Sequence, residues 1–319
     1  MKYRTLGRTG LRVSEIGFGA WAIGGNSYGT TRDEDSRDAL AAAWEHGVNF
    51  FDTADIYGEG HSEELIGKFL KDRRAEAVIA TKVGWDFYHG GHKKNFNLDY
   101  IRFAVDQSLK RLQTDFIDLY QLHNPTLEMI EAGEVFGVLD ELKEAGKIRF
   151  YGVSIYTPGE AMAAIRKGKV DALQLIFNLI DQRPVLEVFP EAERHQIGIV
   201  VREPLACGIL TGKYTAESRF PKNDHRNRWD GERMTKDFQK IGKIQAILKT
   251  PRLTLARAAL EFILSFETVG VAVPGAKTRA QVLENLLATE DPKLRIEEIS
   301  VLRNLYEREP LFQSGFFRN

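Results

Sequence analysis

Four side chains in this 319-residue sequence have the types and spacing to deliver a proton to a carbonyl oxygen. They are Asp52 and Tyr57 in Phe51-Asp52-Thr53-Ala54-Asp55-Ile56-Tyr57-Gly58, Lys82 in Ala80-Thr81-Lys82, and His123 in Leu122-His123-Asn124. Each segment begins as an apolar, strand-like run and ends on a titratable residue, and in a parallel barrel the carboxyl ends of the strands are where chemistry is done. A carbonyl becoming an alkoxide needs a proton donor. A phenol titrates near pH ~10, too weak an acid for easy transfer at neutrality, but a neighbouring ammonium stabilises phenolate and lowers that value. Lys82 is therefore expected to lower the pKa of Tyr57, Asp52 to hold Lys82 in place, and His123 to hydrogen-bond and orient the substrate oxygen. Any one of these residues alone has an ordinary structural explanation. The placement of all four at the same end of neighbouring strands carries the reading.

The elements that must position them alternate along the chain. After a short hairpin between Tyr3 and Gly19, whose last segment Ile16–Gly19 reads as a first strand, strand-like runs cover Val48–Phe51, Val78–Thr81, Phe116–Leu122, Ile148–Ser154, Ala172–Asn178, Gly198–Val201 and Val269–Val273. Helix-like runs cover about 33–46, 61–71, 98–112, 128–145, 158–168, 184–196, 254–266 and 278–288. Strands alternating with helices imply parallel pairing through right-handed crossovers, and eight repeats in this length favour closure. The expected fold is α/β, an eight-stranded parallel (β/α)8 TIM barrel forming a single domain over 1–319, with an N-terminal hairpin. It carries a long loop after the seventh strand, including the polar run Arg219–Trp229, and an extra C-terminal helix over about 295–308. Thr157-Pro158-Gly159-Glu160 reads as an N-cap followed by proline, Ser62-Glu63-Glu64 as an acidic first turn, and Gly146 and Gly168 as helix C-terminal glycines.

Composition narrows the function classes. A net charge of -1 with no basic or acidic block gives no reason to expect nucleic acid or an anionic membrane surface. The single cysteine, Cys207, forms no intrachain disulfide and fits a reducing compartment. The opening Met1–Gly7 lacks the apolar core of a signal peptide, and no apolar run is long enough to span a bilayer, so the expectation is a cytoplasmic protein. An oligomer is compatible with the sequence.

The motif set Asp52–Gly58 with Glu63–Gly67, Thr81-Lys82, Asp118–His123, Gly152-Val153-Ser154, Gln174 and Gly208–Tyr214 resembles the aldo-keto reductase superfamily over essentially the whole chain. The resemblance implies a metal-free barrel that uses a nicotinamide dinucleotide, NADP(H) with NAD(H) as the alternative. It makes Tyr57 the general acid, tuned by Lys82 and Asp52, and makes His123 the residue that positions the carbonyl. It places the nicotinamide by Gly19, Ala20, Trp21 and Asp52, and its carboxamide by Ser154 and Gln174. The diphosphate falls under Pro204, Leu205, Gly208 and Leu210 with Lys213. The 2′-phosphate and adenine fall by Gly275, Lys277, Arg279, Gln281, Glu284 and Asn285. Backbone N–H groups at a helix start with two basic side chains beside them suit such an anion on physical grounds too. Three positions depart from the family pattern. Ile155 follows Ser154 where asparagine is frequent, Arg202 stands where an aromatic residue often stacks on the nicotinamide, and Phe177 replaces a common tyrosine. A guanidinium can also stack on a ring plane, and Arg202 is counted with the cofactor residues.

Other features are weaker. Gly17-Phe18-Gly19-Ala20-Trp21-Ala22 mimics a dinucleotide-binding fingerprint, but no helix is expected directly after it. Trp21 and Trp85, with His123, are candidates for the substrate pocket, and Phe87 and Tyr88 are further aromatics nearby. His89 and His92 have no third metal ligand in sequence reach, and Cys207 reads as a small buried residue. The expected activity is reversible NADPH-dependent reduction of a small-molecule aldehyde or ketone to an alcohol. The rival is a cofactor-binding redox sensor or regulatory subunit with little turnover.

Overall fold

The structure is a computed structural model that describes residues 1–25, 27–248, 253–290 and 294–313. Eight parallel strands form one curled sheet: β3 (Phe18–Gly19), β4 (Phe50–Asp52), β5 (Val78–Val83), β8 (Ile117–His123), β9 (Ile148–Ser154), β10 (Ala172–Ile176), β11 (Gly198–Arg202) and β12 (Val269–Ala272), in that spatial order. The two outer strands of this order approach each other through parallel bridges Ile16–Ala272 and Gly19–Gly275, consistent with a (β/α)8 barrel. The remaining strands form two hairpins, β1 (Tyr3–Thr5) with β2 (Arg12–Ser14), and β6 (Trp85–Asp86) with β7 (Lys93–Lys94).

The helices are α1 (Asp33–Glu45), α2 (His61–Leu70), α3 (Leu98–Leu112), α4 (Leu127–Ala132), α5 (Glu134–Glu144), α6 (Pro158–Lys167), α7 (Val188–Arg194), α8 (Gly231–Ile247), α9 (Leu255–Leu264), α10 (Arg279–Leu286) and α11 (Ile296–Arg308). The expected N-cap at Thr157 is present, with Glu160 completing a capping box, and Gly146 and Gly168 take positive φ after α5 and α6.

Strand alternation sorts the side chains. Phe50, Val78, Ala80, Leu119, Ala172, Val200 and Val271 fill the inside, and Leu6, Leu11 and Val13 of the first hairpin pack against them at the amino end. Phe51, Ile79, Tyr120, Leu122 and Val153 face outward to the helices. Because Leu119 points inward, Gln121 and His123 do too. The registers Asp52–Ala80, Lys82–Gln121 and His123–Ser154 then set the polar residues on the carboxyl end of this inner column. At Gly152 a Cβ would lie 2.3 Å from the Ala172 carbonyl oxygen, so only glycine lets β9 and β10 approach there.

Several expectations are corrected. The single helix over 128–145 is two, because Gly133 turns left-handed at φ 81 between α4 and α5. The run 184–196 begins as a 3-10 turn before α7. The long loop after the seventh barrel strand is not structureless. It contains a 3-10 turn at His225–Arg228 and the 17-residue α8, capped by the Asp230 side chain. The β6/β7 hairpin was not anticipated. Residues 249–252, at the end of the long connection, lie outside the described residues.

Candidate active site

β4, β5 and β8 are neighbours in the sheet, and their ends bring Asp52, Tyr57, Lys82 and His123 together. Lys82 is completely buried, and its three ammonium hydrogens have three acceptors: Asp52 Oδ2 at 2.7 Å, the Thr53 carbonyl at 2.7 Å and Tyr57 Oη at 3.4 Å. The His123 ring meets the Tyr57 ring edge-on, with centroids 5.8 Å apart. Gly58 and Gly60 turn the chain at positive φ into α2. The Tyr57 turn is held from below by Asp55 N donating to the Lys82 carbonyl at 3.2 Å.

Burial, reinforced by the Asp52 carboxylate, holds the Tyr57 phenol well above its ordinary range, and Arg202 is the cation that opposes the shift. Burial, more than any one neighbouring charge, sets this shift. Burial also pulls the Lys82 ammonium down, with Asp52 opposing. A phenol held up in this way is protonated at neutral pH, the form a proton donor needs. His123 is held well below the ordinary imidazole range by burial, then by Lys82, Arg202 and Lys94, and is neutral.

A hydrogen-bonded arc continues across the strand ends. Gln174 Nε2 donates to Asp52 Oδ1 at 2.7 Å, Ser154 Oγ donates to Gln174 Oε1 at 3.0 Å, and Arg202 donates to Ser154 Oγ at 2.9 Å and to Asn124 Oδ1 at 2.8 Å. Asn124 in turn donates to Tyr156 Oη at 3.1 Å, and the Arg202 guanidinium lies 5.1 Å from the Tyr156 ring centre. Asn124 adopts φ 59, a left-handed turn that asparagine tolerates better than most residues. Asn124 and Tyr156 were not singled out from sequence. The adjacency of Asn124 to His123 was the only signal. Ile155, which stands where asparagine is frequent in the family, points into the apolar shell instead.

The tetrad opens into a cleft of about 410 Å³. Gly19, Trp21, Asp52, Tyr57, Gln174 and Arg202 wall its inner end. Pro204, Leu205, Gly208 and Lys213 line its middle, and Gly275, Lys277, Gln281, Glu284 and Asn285 its outer end. Ala20, Ser154, Leu210, Arg279, Trp85 and His123 do not line the cleft itself. Ala20 and Leu210 are fully buried, Ser154 acts through Gln174 and Arg202, and Trp85 belongs to the β6/β7 hairpin. Arg279 pairs with Glu45 at 2.8 Å and with Asp38 at 3.6 Å, tying α10 to α1 on the surface. Lys277 Nζ donates to the Tyr28 carbonyl, and Lys213 pairs with Glu284 at 3.3 Å.

The segment between Tyr214 and Trp229 forms the roof. Arg226 is 6% exposed, makes a two-pronged pair with Asp224 at 2.9 and 2.7 Å, and lies over the rings of Tyr28, Tyr214 and Phe220. Its Nη1 donates to the Cys207 carbonyl at 3.1 Å, joining the roof to the cleft wall. His225 packs against Trp21 and Tyr28, each at 4.6 Å between centroids. None of the roof's partners could be read from the sequence, because they come from distant segments. Cys207 is buried, and burial pushes its thiol up, away from the reactive thiolate. His89 pairs with Asp86 and His92 with Glu59 on the hairpin side.

Burial lowers the His225 pKa to about 4, against an opposing pull from Asp224. The unfolded chain takes up this proton near pH ~6.5 and the folded chain near pH 4, so stability falls as pH drops through that window and levels below it. His225→Phe keeps the ring packing and removes the titration. It is expected to recover on the order of 2 kcal/mol at pH ~4.5 relative to pH ~7.5, the linkage figure discounted for partial exposure of the ring. Thermal melts of both proteins at the two pH values check this.

Comparison with known proteins places this geometry in a family. The aldo/keto reductase family model matches residues 15–307. An uncharacterised oxidoreductase of Bacillus subtilis, YqkF, is 34% identical over 95% of this chain and 96% of its own length. A probable voltage-gated potassium channel subunit beta of Arabidopsis thaliana is 30% identical over 91% of this chain and 92% of its own. Among solved structures, the holo form of aldo-keto reductase AKR11C1 from Bacillus halodurans superposes with a TM-score of 0.79 at 34% identity, covering 96% of both chains. The protein that carries the Asp52–Tyr57–Lys82–His123 cluster is a member of the aldo/keto reductase family.

Proposed function

We propose that this protein reduces an aldehyde or ketone to an alcohol with NADPH, and runs in reverse on the alcohol. The observation that carries the reading is Lys82, buried and triply bonded to Asp52, Thr53 and Tyr57, the first and last of which line a cleft of about 410 Å³. When bound, the nicotinamide supplies hydride. The chain's own residues do the rest. Tyr57 donates its proton to the carbonyl oxygen. Lys82, held by Asp52, stabilises the phenolate that remains, and His123 orients the same oxygen. Trp21 and the roof exclude water from the inner cleft.

The residues fit the cofactor. Gln174 and Ser154 offer carboxamide and hydroxyl groups near the inner end, and the wall from Pro204 to Lys213 fits a diphosphate. Lys277 and Gln281 frame the start of α10, where a 2′-phosphate would find positive charge. Arg279, engaged by Glu45 and Asp38, serves as a clasp between helices in this reading. Lys277→Ala is expected to weaken NADPH binding by about tenfold or more, the value of one charge-assisted contact, and NADH binding by less than roughly twofold. Fluorescence titration with both cofactors checks this. Equal losses would remove Lys277 from the 2′-phosphate site.

Among the described residues no helix is long and apolar enough to cross a membrane, which suits a cytoplasmic reductase acting on a small-molecule carbonyl. The similarity to a channel beta subunit supports a second reading, a cofactor-loaded sensor. A nicotinamide absorbance assay with NADPH and NADH against aldehydes, ketones and sugars separates the two. Oxidation of NADPH by any carbonyl sustains the reductase. Tight binding without turnover across the panel favours the sensor.

A further inference from the structure

Inside the barrel mouth nearly every polar group is matched. Lys82 has an acceptor for each of its three hydrogens, Asp52 Oδ1 and Oδ2 take Gln174 and Lys82, and Ser154 Oγ links Gln174 to Arg202. Among the described residues the buried groups left without a partner include the Asp55 carboxyl, the Tyr120 hydroxyl and two groups on the inward face of β8. The Gln121 carboxamide is 0% exposed, with neither its oxygen nor its nitrogen hydrogen-bonded, and His123 Nδ1 is buried without a partner. Both sit on β8, two residues apart, on its inward face. Alternate residues of a strand stand roughly 6.7 Å apart at the backbone, a separation that one water between the two side chains can bridge. An unpaired buried amide is costly, on the order of 1–3 kcal/mol, so a partner for the Gln121 carboxamide is to be expected.

We infer that Gln121 is a positioning residue for His123: an internal water held by its carboxamide donates to His123 Nδ1 and so holds the tautomer whose Nε2–H points to the carbonyl oxygen. The inference rests on the proposed role of His123. A neutral imidazole carries one N–H, and the partner of one ring nitrogen decides which nitrogen bears it. Burial, with Lys82, Arg202 and Lys94, keeps the ring neutral, so its tautomer, rather than its charge, determines whether it can donate. The hydrogens of the two nearest cations go to other acceptors. Lys82 has spent its own, and Arg202 is engaged with Asn124, Ser154 and Glu203.

The test is a long-range proton–nitrogen correlation spectrum of the full-length protein loaded with NADP, labelled with nitrogen-15 at histidine, with the His123 signals assigned by their loss in His123→Ala. The wild type is expected to show protonation at Nε2 only. Gln121→Leu, and Gln121→Met as the closer match in shape, are expected to mix the two tautomers and to lower kcat about tenfold with NADPH affinity unchanged. Protonation at Nδ1 in the wild type overturns the inference. So does an unchanged tautomer with kcat within about twofold in a folded variant. Full activity in His123→Ala would instead refute the role given to His123, while the spectra would still report on Gln121.

Discussion

Tyr57→Phe is expected to lower kcat about a thousandfold while leaving the NADPH dissociation constant within about twofold. The substitution removes one oxygen and keeps the ring that packs against Trp21 and His123. The lost oxygen is the group that Lys82 contacts at 3.4 Å, and it is the proton source facing the cleft. Burial and Asp52 keep this phenol protonated over the ordinary pH range, so the wild-type reduction rate should be flat from about pH 6 to 8 as far as Tyr57 is concerned. Lys82 keeps Asp52 and the Thr53 carbonyl as partners in the variant, so the fold should tolerate it. Steady-state turnover and a cofactor titration on the same preparation provide the check. Near-normal turnover would remove Tyr57 as the acid.

Arg226→Ala is the second large effect, and it acts on the roof. Asp224 is 3% exposed and takes two hydrogen bonds from the Arg226 side chain, with a third from the Arg226 backbone. Removing the guanidinium strands a buried carboxylate, which typically costs about 3–5 kcal/mol. It also removes the cation lying over Tyr28, Tyr214 and Phe220 and the bond to the Cys207 carbonyl. The stranded charge regains water if the roof lifts, so the expected result combines a lower Tm with NADPH binding weakened about tenfold or more. Arg226→Lys should recover little, because an ammonium supplies neither the two-pronged bond nor the flat face. Loss of Asp224 and Arg226 together should cost less than the sum of the single losses. An Arg226→Ala protein with unchanged Tm and cofactor affinity would show that Arg226 does not fasten the roof.

Much of the architecture was legible because short-range patterns encode it. The β-branched and aromatic runs marked the barrel strands to within a few residues, Thr157-Pro158 and Glu160 marked a helix start, and Gly146 and Gly168 marked two helix ends. The errors have local causes. Gly133 can sit inside a helical pattern or break it, and here the left-handed turn prevailed. The polar character of α8 hid a helix whose buried side, Met234, Ile241 and Ile244, is supplied with partners only by the fold.

The sequence by itself determined that an aspartate, a tyrosine, a lysine and a histidine follow consecutive strands of a parallel sheet, and so that they share one end of it. Strand order and side-chain alternation are enough for that. Only the tertiary structure decided what each group is bonded to. Gln174 reaches Asp52 across 122 residues of chain, and Arg202 reaches Asn124 across 78. Only burial decided the electrostatics. Glu63, read only as a first-turn acid, is wholly buried on Arg111 and Thr81, and the Tyr57 phenol is held protonated chiefly by burial. A pKa depends on the water a group has lost and on charges from every neighbouring strand, and neither is a property of the residues adjacent to it in the chain.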